Sequence, residues 1–312
     1  MAEQEAPTAG IHLVHKAVGQ SSFDVIRGFK RRAFEAGQKK LALGHGGTLD
    51  PFADGLLLVL AGQATRLMEL LHPLPKTYVA EIAWGLETDT CDLHGKPVTE
   101  AIQRAEKEIH HGGREFTEAL DAALASFLGW TEQVPPATSA KKIDGEAAYK
   151  KAHRGEEVVM KPCRVFLLSA RWVSHDLPRR STLELTCRGG FYVRSLARDL
   201  GRALGCGAHL SALHRTAIGP WIDPGEGQES LLTGTDLLPW CPARLLTDEE
   251  AEHLGHGRAI PAGELLSGTW ALPEGFPDPG APIRALHQDR LVALLRPVDE
   301  GLRTFANLRG GL

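Results

Sequence analysis

Apolar positions along this chain follow two rhythms, and the switches between them mark out its elements. A short apolar run at residues 11–14 predicts a strand. A turn at Gly19 then leads into a helix that Ser21 or Ser22 can cap, with Asp24 in its first turn. Ile26, Phe29 and Ala33 recur at i, i+3 and i+7 as the buried stripe, which leaves Arg27, Lys30 and Arg31 facing outward. The apolar run at 56–61 is followed by Gly62-Gln63-Ala64-Thr65-Arg66 and by a strand at 77–84, whose Tyr78, Ala80, Ile82 and Trp84 share one face. Residues 118–128 read as a helix with Leu120, Leu124 and Phe127 on one side and Thr117 as its cap.

The second half continues the alternation. A Pro-rich, basic excursion from Gln133 to Lys142 suits a surface loop and leads toward a helix around 146–153. Residues 163–173 and 181–188 alternate as strands do. Gly189-Gly190 precedes a helix at 193–204 with Val193, Leu196, Ala197, Leu200 and Leu204 as its core stripe. Around Pro239-Trp240-Cys241-Pro242 the text becomes rich in Gly and Pro. Strand-like pieces at 268–271, 284–287, 291–296 and 304–308 then predict a small β domain.

A length of 312 residues suits about two domains. Hydrophobic content of 43% and charged content of 24% match soluble globular usage and exclude disordered or collagen-like classes. The cysteines Cys91, Cys163, Cys187, Cys206 and Cys241 are scattered and never spaced Cys-x-x-Cys. That spacing suggests neither a disulfide framework nor a zinc site and fits a reducing cytoplasm. The acidic N-terminus lacks an apolar core and no run is long enough to span a bilayer, so a soluble, non-exported protein is expected.

A net charge of −4 argues against indiscriminate coating of nucleic acid, which needs Lys and Arg on phosphates. Two local basic segments remain: Arg27, Lys30, Arg31, Arg32, Lys39 and Lys40, and Lys141, Lys142, Lys150, Lys151 and Arg154. Each is either a binding face or a solvated helix face. Arg194, Arg198 and Arg202, at i, i+4 and i+8, form a basic ridge or pair with acids such as Asp199 or Glu184.

The densest chemistry lies in Gly44-His45-Gly46-Gly47-Thr48-Leu49-Asp50-Pro51-Phe52-Ala53-Asp54-Gly55. Pro51 biases Asp50 toward an extended or turn conformation, and the glycines permit close approach or positive φ. The segment is either an active-site loop or an ordinary Asp-Pro turn. A phosphate-binding Walker loop would need Gly-Lys-Ser/Thr, whereas Gly47 is followed by Thr48-Leu49.

That loop resembles the TruB family of bacterial tRNA pseudouridine-55 synthases, matching at Gly44, His45, Gly47, Thr48, Leu49, Asp50, Pro51, Ala53 and Gly55. Further matches follow in order: Gly62 to Arg66; Lys76-Thr77-Tyr78; Thr88 to Asp92 with Gly95; Val134-Pro135-Pro136 with Ser139 to Lys142; Gly190 to Leu196; and Gly205 to His209. Departures are His15-Lys16-Ala17-Val18-Gly19, where the family reads Asp-Lys-Pro-x-Gly, Gly46 for the usual threonine, and the added carboxylate of Asp54.

The resemblance implies an α+β fold: a mixed, mainly antiparallel sheet core of the pseudouridine synthase type with flanking helices, over residues 1–243. A small β-rich PUA-like RNA-binding domain would follow at 244–312, and an RNA-clasping insertion would lie at about 133–155. It implies isomerisation of uridine 55 in the tRNA T arm, with Asp50 catalytic either as a nucleophile or as a base that yields a glycal. Arg194 would keep Asp50 ionised, and Tyr78 would stack on the uracil and assist proton removal from C5. Tyr192 and His45 would meet the flipped-out nucleotide, while Lys16, Gly47, Thr48, Lys141, Lys142 and Arg198 would bind substrate. No cofactor or metal is required. The expected partner is tRNA, acted on in the cytoplasm by a monomer needing no guide RNA or protein. A tRNA-folding chaperone activity could coexist, and a guide-dependent relative is the third reading.

Overall fold

The computed structural model describes residues 6–98, 113–139, 141–143, 145–148, 151, 154, 156 and 158–312. In chain order the first elements are β1 (Gly10–Lys16), α1 (Ser22–Glu35), β2 (Leu43–His45), β3 (Asp54–Ala61) and α2 (Met68–Leu71). Next come β4 (Pro75–Trp84), α3 (Gly113–Ala125), β5 (Gly129–Gln133), β6 (Lys142–Ile143), β7 (Glu146–Ala147), β8 (Cys163–Asp176), β9 (Arg180–Arg188), α4 (Val193–Ala203) and β10 (Ala208–Ile218). The remainder holds β11 (Trp221–Ile222), β12 (Glu229–Leu232), β13 (Ala243–Leu245), α5 (Asp248–Gly255), β14 (Ile283–His287), β15 (Arg290–Val298) and β16 (Gly301–Asn307). The result is the expected α+β class, strands with few helices and a second small sheet. Contacts gather into two compact units, Met1–Leu74 with Ala217–Leu312 and Pro75–Thr216. The boundary expected near residue 243 falls inside the first.

In the first unit β3 explains the apolar run. It pairs antiparallel with β1 on one side and with β2 at one end, and it is buried on both faces. The two-residue period sorts its side chains. Leu56, Leu58 and Leu60 enter a core with Ile11, Leu13, Trp221, Leu237, Trp240 and Leu294, while Leu57 and Val59 pack with Val14, Ile26 and Phe29 beneath α1. Burying Ile26 and Phe29 contributes roughly 2 kcal/mol each. Ser21 caps α1 in a capping box with Asp24. The hydrogen bonds from Ser21 to its carboxylate pull Asp24 down to about 2. The small sheet runs β13-β14-β15-β16, with β13 parallel to β14 and the rest antiparallel.

In the second unit β4, β9, β8 and β5 are successive antiparallel neighbours. Tyr78, Ala80, Ile82 and Trp84 are buried on one face of β4 as the period requires. The core stripe of α4 is buried through Val193, Leu196, Ala197 and Leu200.

Three local expectations differ from the structure. Of the helix expected at 146–153, residues 146–147 belong instead to the hairpin β6–β7, with Lys142 opposite Ala147 and Ile143 opposite Glu146, while Ala148 and Lys151 are helical. Asp144-Gly145 is a two-residue hairpin sequence, and Gly145 has φ of 86°. Thr117 lies inside α3, which begins at Gly113. Residues 268–271 are not a strand, because the Thr269 and Trp270 N–H groups both donate to Pro239 O, at 2.8 and 3.2 Å. Trp270 meets Trp240 edge-on with centroids 6.4 Å apart.

Candidate active site

Asp50 lies between β2 and β3, half-exposed, in a turn that the Ala53 N–H closes on Asp50 O at 3.1 Å. The β1–α1 segment fastens this loop at three points. Ser22 Oγ accepts from Leu49 N at 2.9 Å and donates to Leu49 O at 3.2 Å. Gly19 N donates to Pro51 O at 2.7 Å, and Lys16 Nζ donates to Ala53 O at 2.5 Å. Gly47 and Gly55 carry φ of 129° and 101°, conformations that a side chain would strain.

Lys16 also donates to Gln20 O at 2.7 Å and Ala17 O at 3.1 Å, and it is 0% exposed. The expectation that it touches substrate is therefore corrected. Its ammonium gathers backbone carbonyls and shapes the loop from below. His45 ends β2 opposite Val59, while Gly47 is half-buried and Thr48 exposed on the loop surface. Asp54, the added carboxylate, is turned toward His15, whose Nε2 lies 4.0 Å from Asp54 Oδ2 and whose Nδ1 is 2.8 Å from Asp223 Oδ2.

In the second unit three of the matched segments converge on α4. Arg194 donates to Asp92 Oδ2 at 3.0 Å, Thr90 O at 3.1 Å and Thr138 Oγ1 at 2.9 Å. Arg198 donates to Asp199 at 2.8 Å and Val134 O at 3.0 Å and reaches Cys91 Sγ at 3.9 Å. Arg202 grips Glu87 with two bonds of 2.8 and 2.6 Å, which raise its pKa above the usual range. The i, i+4, i+8 spacing thus zips α4 along residues 87–92. Arg198, expected to bind substrate, is buried here and committed to protein partners, Asp199 among them as the alternative reading of the ridge had it. Glu184 pairs with Arg171 instead. Asp92 and Thr138, which seat Arg194, received no role from the sequence. A lone acid in a matched segment was the signal available.

Tyr78 is buried on β4, two residues from Lys76 on the same face. Burial first, then the charges of Arg215 and Arg188, push Lys76 down to about 7. Tyr192 is half-buried at the N-cap of α4, its N–H donating to Gln133 Oε1 at 2.8 Å. Lys141 is half-buried and its carbonyl accepts from Ala148 N at 2.8 Å, and Lys142 opens β6. Arg154 is taken up by Glu146, at 2.8 and 2.9 Å, and by Glu156 at 2.5 Å. Lys150 and His153 lie outside the described residues. Among the described residues no cluster of His, Cys, Asp and Glu could hold a metal ion, and no helix is long and apolar enough to cross a membrane.

Residues 31–193 match the TruB family pseudouridylate synthase N-terminal domain, and 194–252 match the tRNA pseudouridylate synthase B C-terminal domain. The chain is 36% identical over 312 residues to the tRNA pseudouridine synthase B of Mycobacteroides abscessus, covering 95% of this chain and 94% of that protein. Against the protein of the same name from Xanthomonas campestris pv. campestris it is 42% identical over 220 residues, 70% of this chain and 66% of that one. A solved H/ACA ribonucleoprotein bound to a substrate RNA containing 2′-deoxyuridine shares the fold at 20% identity. Its TM-score is 0.60, and the match covers 96% of this chain and 84% of that one.

Proposed function

This chain belongs to the TruB family of pseudouridylate synthases, and we propose that it converts uridine 55 in the T arm of tRNA to pseudouridine, with Asp50 as the catalytic carboxylate. The observation that carries this reading is the fastening of the Asp50 loop, whose neighbours Leu49, Pro51 and Ala53 are each held by the β1–α1 segment. A carboxylate that must meet one atom of the nucleoside needs such positioning before it needs anything else.

The reaction breaks N1–C1′, turns the uracil, joins C5 to C1′ and releases the C5 proton. Asp50 either bonds to the nucleoside or takes a sugar proton to give a glycal. In both routes it starts ionised, which a guanidinium favours. Arg194, seated by Asp92, Thr90 and Thr138, is the residue the family likeness assigns to that task. Tyr78 would carry the uracil and help remove the C5 proton, and Tyr192 and His45 would hold the flipped nucleotide. Gly47 and Thr48 would meet the sugar-phosphate. Lys141 and Lys142, in the clasping insertion at about 133–155, would grip the T arm together with a PUA-like domain at 244–312. Catalysis on tRNA by a single chain in the cytoplasm, with no guide RNA, completes the reading.

Tritium release from tRNA labelled at uracil C5 tests it. Asp50→Asn abolishes release while binding to a T-arm hairpin persists, and unchanged release removes Asp50 from the catalytic role. Wild-type protein acts on the bare hairpin, and product mapping locates the pseudouridine. Absolute dependence on added RNA or protein would overturn the stand-alone reading. Tight binding and refolding of tRNA without release would leave a chaperone.

A further inference from the structure

Helix α1 carries on its outer side a ladder that the fold does not use. Phe23, Arg27, Lys30, Arg31 and Phe34 occur at i, i+4, i+7, i+8 and i+11, so they form one stripe. All five are exposed, Phe23 at 56% and Phe34 at 64%. Ser22, Ile26, Phe29 and Ala33 are the buried side of the same helix. Its apolar sorting is otherwise strict, which makes two open phenylalanine rings about 16 Å apart a departure.

Two cations of this stripe, and one beyond the end of the helix, lie over the rings. Arg27 and Lys30 sit 5.5 and 5.6 Å from the Phe23 centroid, and Lys39 sits 5.9 Å from that of Phe34. Arg27 pairs with Asp24. Among the described residues no carboxylate pairs with Lys30, Arg31, Lys39 or Lys40. Arg32 is different, being turned inward to Glu229 at 3.0 Å and stacked on Phe29 at 4.2 Å. Beyond Phe34 the stripe continues into a groove of about 640 Å³ between residues 7–9 and 37–41, with Lys39 and Lys40 on its wall.

We propose that the Phe23–Lys40 face of α1 is an RNA-docking strip, on which Arg27, Lys30, Arg31, Lys39 and Lys40 take phosphates while Phe23 and Phe34 stack on unpaired bases. The occupant is the substrate RNA itself, so the proposal rests on the RNA-modifying reading above. Charge complementarity argues for it: the chain carries a net charge of −4, yet this strip concentrates five cations of which, among the described residues, Arg27 alone is paired with a carboxylate. Rings interleaved with cations suit a polyanion that also presents flat faces. The strip starts beside the catalytic loop within the same unit, since Ser22, the residue before Phe23, holds Leu49. RNA that delivers its uridine to Asp50 therefore has a cationic track leading away from it.

The test measures binding of the full chain to an unmodified tRNA transcript across a salt series, for the wild type, the triple variant Arg27→Glu/Lys30→Glu/Arg31→Glu, and Phe34→Ala. The triple variant is expected to lose about tenfold or more in affinity at low salt and to lower the log–log salt slope by about 2. Phe34→Ala is expected to lose about fivefold with the slope unchanged, since stacking releases no counterions. Melting temperatures close to wild type keep both variants interpretable. Unchanged affinity and slope in the triple variant would overturn the proposal. Unchanged tRNA affinity with lost retention on anionic phospholipid vesicles would overturn it in favour of a membrane surface. A full affinity in Phe34→Ala would overturn the stacking role. Failure of tritium release with the α1-dependent slope intact strikes the isomerase reading alone, and normal release with a flat response strikes this strip alone.

Discussion

Ser22 holds Leu49 by both of its backbone groups, taking the N–H at 2.9 Å and giving its own proton to the C=O at 3.2 Å. A first-turn side chain of α1 thereby sets the peptide that enters Asp50. Ser22→Ala leaves two buried polar groups without this partner and is expected to cost about 2 kcal/mol in stability. It also lowers kcat for tritium release about tenfold with KM little changed, because a displaced carboxylate weakens the transition state more than binding. Urea unfolding and steady-state kinetics read the two effects. A loss confined to stability would make Ser22 merely structural.

The Asp92–Arg194 pair is buried at both ends, with side chains 8% and 6% exposed. Removing one partner strands a buried charge. Asp92→Ala is expected to destabilise the protein by about 3 kcal/mol and to lower kcat at least tenfold, whereas Arg171→Gln, which breaks an exposed pair with Glu184, costs within about 0.5 kcal/mol. Chemical denaturation of both variants makes the comparison.

Gly46 stands where the sequence resemblance leads to the expectation of threonine. A Cβ there would lie 3.2 Å from Leu58 Cβ, 3.3 Å from Leu58 Cδ1 and 3.4 Å from Leu71 Cδ1. Restoring the threonine should therefore harm this chain, with Gly46→Thr losing about 1–3 kcal/mol through overpacking. Gly28, in the middle of α1 with open space around it, gives the opposite sign, since Gly28→Ala should gain about 0.5–1 kcal/mol. Melting temperatures of the two variants are expected to move in opposite directions.

Lys76 is held at about 7 by burial, against its ordinary 10.5. Between these values the unfolded chain binds more protons, so stability rises with pH. Lys76's contribution is present above 10.5 and is lost as pH falls toward 7. The buried Cys187 and Cys241 thiols, each pushed up to about 12 from 9.0, act in the opposite sense above 9. The clean window is therefore pH 7 to 9, over which unfolding free energy should rise by roughly 2 kcal/mol. Lys76→Met should flatten that rise, and denaturation curves at successive pH values would show it.

Much of this organisation is legible along the chain because it depends on neighbours in sequence. The Ser21–Asp24 box, the stripe of Ile26, Phe29 and Ala33, and the alternation in β4 are decided by local period and capping chemistry. The β6–β7 hairpin was equally local, but its second strand reads in the sequence as the start of the helix that follows. The glycines around Asp50 also announce a shaped loop by themselves, since Gly47 and Gly55 need no distant partner to permit positive φ.

Only the tertiary structure decided which charges are spent on the protein and which remain for a ligand. Lys16 and Arg198 carry the same charge as Lys30 and Arg31, and charge alone does not separate them. Lys16 meets Ala53 O across 37 positions, and Arg198 meets Val134 O across 64. Burial without such a partner would be prohibitive for a cation, and exposure needs none. The fate of each charge is thus settled by what the fold brings beside it, which is why the α4 ridge closed on acids while the α1 ladder stayed open.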